Sequence, residues 1–181
     1  KTAAHVTAVE LQEDLDAVAR ELTARCGLDD RVAHVAGDVL AVPLKDAAFD
    51  VVVSWLALYH VPDHVALWAR LAAALKPGTG RVHVEDLFQV RPAETDAERS
   101  DLAALYSRQL LPRHTYLAAL DAAGFEEVRF DDVTDDWRAY VGARLPAYRA
   151  DRAAQIRIHG VDVVDALDGF YAAVARLFDA G

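Results

Sequence analysis

The apolar and polar positions of this chain change period several times, and each change predicts an element. Val6 to Leu11 alternates as a half-buried strand does and ends on Glu10 and Leu11. A helical period follows, with Leu15, Val18, Ala19 and Leu22 on one face, acidic residues in the first turn and a stop at Gly27. A short apolar strand, Val32 to Val35, then leads into a loop carrying Gly37 and Asp38. Phe49 to Ser54 is a continuous, largely β-branched run, the pattern of a strand covered on both faces and hence of a parallel α/β sheet.

The second half continues in the same manner. Val65 to Lys76 is helical, with Leu67 or Trp68, Leu71 and Leu75 as its buried stripe, and Lys76-Pro77-Gly78 stops it. Arg81 to Glu85 alternates as a strand and delivers Glu85 and Asp86. Val90 to Asp101 is charged and reads as a loop or the start of a surface helix. Leu102 to Leu111 carries Tyr106 and Arg108, and a helix from Pro112 through Tyr116, Leu117 and Leu120 stops at Gly124. Glu127 to Phe130 reads as an edge strand. Beyond Val133, Trp137, Tyr140, Val141, Leu145 and Tyr148 fall at helical spacing, with a kink or break at Pro146. A last helix places Val161, Val164, Leu167, Tyr171, Val174 and Phe178 in register.

In open α/β sheets ligands bind beyond the carboxyl ends of the strands, so the residues at those ends are the candidates. A carboxylate such as Glu10 can accept two hydrogen bonds from vicinal hydroxyls, or it can be a solvated strand end. Asp38 can accept from an amino group or form an Asx turn. His60, with an ordinary pKa near neutrality, can orient a nucleophile or take its proton, or it can pack at a helix start. Glu85 and Asp86 can hold a cation or be solvated. The aromatic stripe through Trp137 is either packing or ligand contact.

Gly37-Asp38, Val42-Pro43-Leu44, Asp46 and Phe49-Asp50-Val51-Val52, with Ala123-Gly124-Phe125 later, together resemble the class I S-adenosylmethionine-dependent methyltransferases. The tail is similar, more loosely, to the insert of the sarcosine/dimethylglycine and phosphoethanolamine N-methyltransferases. The resemblance implies a Rossmann-like, mainly parallel twisted sheet with helices on both faces and a helical insert or lid near the C-terminus. The core is expected over residues 1–135 and the insert over 136–181. The family's glycine-rich loop and first strand are expected upstream of Lys1, and its last strand beyond Gly181.

The same resemblance implies methyl transfer from S-adenosylmethionine to a small molecule, an amine before all, releasing S-adenosylhomocysteine. O- or C-methylation of another natural product, and a non-catalytic binding module, stand as alternatives. It assigns Glu10 with Leu11 to the ribose, Asp38 and Val39 to the adenine, and Trp55 and Leu56 to the lining of the cofactor. His60 is the catalytic candidate, and Tyr59, Glu85, Asp86, Tyr106, Arg108 and Trp137 face the acceptor. Since the methyl group arrives activated, the protein's main task is alignment and exclusion of water.

Composition narrows the partners. The 181 residues carry a formal net charge of −10 and only three lysines, so no basic stripe exists for nucleic acid. The hydrophobic fraction of 54% contains no run of the ~20 residues that a spanning helix needs, and no signal peptide opens the chain. A cytoplasmic protein with a small-molecule substrate and no membrane partner is expected, as monomer or homodimer. Cys26 cannot form an internal disulfide and is expected as a packed thiol on an apolar helix face. His60 and His64 stand four apart, but Pro62 between them argues against one helix face, and no metal is expected. A chain that starts at Lys1 and holds no methionine is expected to be part of a longer translation product. A nicotinamide-dependent oxidoreductase of the short-chain type is disfavoured, because no tyrosine is followed by lysine four residues later.

Overall fold

The computed structural model describes residues 4–106 and 110–180. Strand β1 (Val6–Glu10) pairs in parallel with β2 (Val32–Ala36), Val6 opposite Val32 and Glu10 opposite Ala36. Helix α1 (Glu13–Arg25) connects them, as a parallel pair requires. Glu13, Asp14 and Asp16 in its first turn and Arg25 in its last suit the helix dipole, and Gly27 ends it with a φ of 64°. Strand β3 (Val51–Trp55) pairs with β4 (Arg81–Glu85), with α2 (His64–Ala74) between them in the chain. Among the described residues five helices follow: α3 (Asp96–Tyr106), α4 (Arg113–Ala122), α5 (Thr134–Ala150), α6 (Arg152–His159) and α7 (Val161–Ala180). None of the described helices is long and apolar enough to cross a membrane.

Contacts divide the chain into two compact units, the first Lys1–Val53, Asp63–His83 and Ala122–Gly124, the second Ser54–Pro62, Val84–Asp121 and Phe125–Gly181. In the first unit, α2 starts on Asp63, whose carboxylate accepts the Ala66 N–H at 2.9 Å. Leu67, Trp68, Leu71 and Leu75 are all buried, so the expected stripe is the core, with Leu67 and Trp68 both inside it.

Helix α1 is oriented differently from its apolar pattern. Leu15, Val18 and Leu22 are about half exposed, whereas Asp16 is 5% exposed. A polar network sets this orientation: Arg20 Nε donates to Asp16 Oδ2 at 2.6 Å, and His34 Nδ1 lies 3.7 Å from Asp16 Oδ1. His34 Nε2 shares a hydrogen bond with Thr23 Oγ1 at 2.8 Å, and Arg20 Nη2 donates to the His34 carbonyl at 2.7 Å. Cys26 is exposed, contrary to expectation, because it sits past the helix as its C-cap and is not carried inward by a helix face. The double cover expected for β3 is also absent among the described residues. Val51 and Val53 are half exposed while Val52 on the opposite face is partly buried, the alternation of a strand with one covered face.

In the second unit α7 packs on α5, α3 and α6 and buries Val164, Ala173 and Val174 along with Val141 of α5. Helix α5 runs through Pro146 and ends at Ala150. Arg149 pairs with Asp168 through two bonds of 2.7 and 2.9 Å, and Arg176 with Asp101 through bonds of 3.0 and 2.9 Å. The edge strand expected over Glu127 to Phe130 does not form: Glu127 takes a φ of 54°, which breaks the extended run. Phe130 instead meets Phe88 edge to face at 5.2 Å and lies under the Arg113 guanidinium at 4.5 Å.

Candidate functional site

Each unit presents carboxylates at a strand end. In the first, Glu10 closes β1, and its carbonyl accepts the Gly37 N–H at 2.8 Å, which ties the end of β1 to the loop after β2. The Glu10 carboxylate turns onto its own chain, with Oε1 accepting the Gln12 N–H at 2.9 Å. Asp38 behaves alike: Oδ1 accepts the Leu40 N–H at 2.8 Å, and its carbonyl accepts the N–H groups of Ala41 and Val42, each at 2.8 Å. The Asx turn and a ligand-binding role are therefore compatible, since one oxygen of each carboxylate holds the loop while the other makes no hydrogen bond among the described residues. Gly37, at φ 143°, lets the backbone pass where a Cβ would lie 2.7 Å from Val42 Cγ1. Asp38 and Leu11 are exposed and Val39 is partly buried. Two acceptor oxygens on neighbouring strand ends suit a ligand rich in hydroxyl and amino donors.

In the second unit Trp55 is exposed, and Leu56 takes a φ of 51° while its N–H donates to the Glu85 carbonyl at 2.7 Å. Leu58–His60 form a single 3-10 turn in which Tyr59 is partly buried and His60 exposed, their rings 4.0 Å apart. Burial raises the Tyr59 hydroxyl above its ordinary value, with the Asp86 charge adding to it. The Asp86 carboxyl accepts the Tyr116 hydroxyl on Oδ2 at 3.2 Å, while Oδ1 is buried with no hydrogen bond among the described residues. Burial pushes this carboxyl up to about 6, opposed by the Leu87 N–H, the Tyr116 hydroxyl and the Tyr59 backbone. Tyr116 itself is buried, and burial first and the Asp86 charge second drive its hydroxyl far above its ordinary value.

Glu85 is held differently. Its Oε1 accepts the Trp137 indole N–H at 2.9 Å, and the Trp137 ring lies nearly parallel to Phe178 at 6.3 Å and edge-on to Tyr140 at 5.6 Å. Tyr59, Glu85, Asp86 and Trp137 are thus brought together within this unit, with Trp137 steadying a carboxylate by its indole N–H. Tyr106 closes α3, and Arg108 lies outside the described residues. Tyr116 was not expected at the site. Its signal was a tyrosine on the apolar stripe of α4, since a buried Tyr hydroxyl nearly always finds a partner.

Residues 1–82 match the family model described as a methyltransferase domain. The 27-O-demethylrifamycin SV methyltransferase of Amycolatopsis mediterranei is 30% identical over 164 residues, 84% of this chain and 60% of that protein. The glycine/sarcosine/dimethylglycine N-methyltransferase of Actinopolyspora halophila is 28% identical over 145 residues, 78% of this chain and 25% of that protein. Among solved structures, Haemonchus contortus phosphoethanolamine N-methyltransferase 2, in complex with phosphomonomethylethanolamine and S-adenosylhomocysteine, superposes with a TM-score of 0.89 at 19% identity, over 97% of this chain and 41% of that one. Residues 1–82 thus match a methyltransferase domain, and the described residues share the fold of this N-methyltransferase structure. The chain spans between a quarter and three fifths of the length of these relatives.

Proposed function

We propose that the chain takes part in methyl transfer from S-adenosylmethionine to a small molecule, with an amine nitrogen as acceptor. The observation that carries this reading is the placement of Glu10 and Asp38 at the ends of adjacent parallel strands, joined through the Gly37 N–H. Each keeps one carboxylate oxygen outside its own loop, the acceptors that a ribose diol and an adenine amine require. When bound, the cofactor supplies a methyl group on a sulfonium. Glu10 with Leu11 would hold its ribose, Asp38 and Val39 its adenine, and Trp55 and Leu56 would line it.

On the acceptor side, Glu85 and Asp86 attract a cation, Tyr59 and His60 face the nucleophile, and residues 136–181 serve as a helical lid. The acid pair favours an amine, and two of the relatives named above are N-methyltransferases. Transfer to a hydroxyl is the second reading, which the rifamycin relative supports and for which the exposed His60 would be the base.

Calorimetric titration of S-adenosylhomocysteine into the protein tests the cofactor half. Binding in the micromolar range is expected, weakened in Asp38→Ala by about 2 to 3 kcal/mol, or about 30- to 150-fold. Failure of the unaltered chain to bind overturns the reading, and unchanged affinity in the variant removes Asp38 from the site.

A further inference from the structure

Asp86 is the one carboxyl of the second unit with a buried oxygen left without a hydrogen bond among the described residues. A buried polar atom in this condition requires a reason, because leaving it unsatisfied costs stability. Its surroundings show what is missing. Tyr116 from α4 donates to Oδ2, and the Leu87 N–H and the Tyr59 backbone also act on the carboxyl, which leaves Oδ1 as the oxygen without a hydrogen bond among the described residues. Both tyrosine hydroxyls are driven upward, so both remain neutral through the range in which Asp86 titrates. Glu85, its neighbour in the chain, is engaged by the Trp137 indole. No cationic side chain among the described residues pairs with Asp86.

We propose that Asp86 is the proton acceptor for an incoming ammonium group, and that Tyr116 is the positioning residue that presents Oδ1 to it. This rests on the amine reading above. An amine of ordinary basicity arrives protonated near neutral pH, and in that form its nitrogen has no lone pair to donate. At Asp86 the N–H bond breaks and its electron pair stays on nitrogen as the lone pair, while a lone pair of Oδ1 forms the new O–H bond. One cation and one anion become two neutral groups. Burial favours this exchange from both sides, since it raises a carboxylic acid and lowers an ammonium. The carboxyl at about 6 is the free site's form of that tendency. Glu85, with its oxygen given to Trp137, does not share the role; it holds α5 to the end of β4.

Carbon-13 NMR of the protein labelled at aspartate Cγ, titrated over pH with and without sarcosine as the amine probe, tests this apart from turnover. S-adenosylhomocysteine calorimetry on the same sample reports on the underlying reading. One carboxyl is expected to inflect near pH 6, to vanish in Asp86→Asn, to move up by roughly one pH unit in Tyr116→Phe, and to move when sarcosine is added. Tyr116→Phe should bind S-adenosylhomocysteine as the unaltered chain does, which shows that it is folded. If the homocysteine compound binds but the Asp86 inflection is absent, or ignores both Tyr116→Phe and sarcosine, the proton-acceptor role is overturned and the methyltransferase reading stands. If the compound does not bind the unaltered chain, both fall together.

Discussion

The carboxylates of the two units are held in opposite ways. The carboxylates of Glu10 and Asp38 are tied by N–H groups two residues further along their own chain, so the orientation of each is set by its local turn. Glu85 and Asp86 are tied by side chains 52 and 30 residues away, the Trp137 indole and the Tyr116 hydroxyl. A carboxylate turned by its own backbone keeps its orientation when distant side chains change. A site fixed by distant aromatic side chains moves with the helices that carry them, and its burial alters its chemistry.

The largest effect that separates the two is expected at Asp86. Its carboxyl is raised from 3.8 to about 6, so the folded chain holds that proton more tightly than the unfolded one. The resulting stability is present below about pH 3.8 and is lost as pH rises through about 6. Asp86→Asn, neutral at all pH values, should therefore stabilise the protein at pH 8 by up to about 3 kcal/mol and change little at pH 3.5. Guanidinium unfolding at the two pH values measures this, and an equal change at both would contradict a proton-linked origin.

Next in size is Gly37→Ala, which forces a Cβ to within 2.7 Å of Val42 Cγ1. A loss of about 2 kcal/mol in unfolding free energy is expected, together with weaker S-adenosylhomocysteine binding, because the Asp38 turn shifts with its backbone. Full affinity in the folded variant would show that the Asp38 loop does not depend on this close approach. Smallest is Trp137→Phe, which keeps the stacking on Phe178 and removes only the N–H to Glu85. About 1 to 2 kcal/mol of stability should be lost, with S-adenosylhomocysteine affinity unchanged.

What could be read from sequence follows the same division. The strand ends at Glu10 and Asp38 were legible because strand period, glycine stop and Asx chemistry are all local signals. The stripe Leu67, Trp68, Leu71 and Leu75 was legible for the same reason. Tyr116 was not, because its partner lies 30 residues earlier in the chain and no local pattern couples them. Trp137 was legible as an aromatic on a helix, but whether its ring face or its N–H would be used depends on Glu85 and Phe178. The strand over Glu127 to Phe130 failed because Glu127 turns the backbone to a positive φ, which the local apolar pattern does not announce.

The orientation of α1 has one more consequence. A side chain on a strand changes face with every residue, so a slip of β2 by one position would replace His34 at the α1 contact with Ala33 or Val35. Asp16 and Thr23 would then be pressed against a methyl group and lose the imidazole between them. An alternating run of valine and alanine tolerates such slippage easily. The buried histidine gives the pairing of β1 with β2 a single acceptable alignment, and with it the single spacing that sets Asp38 beside Glu10.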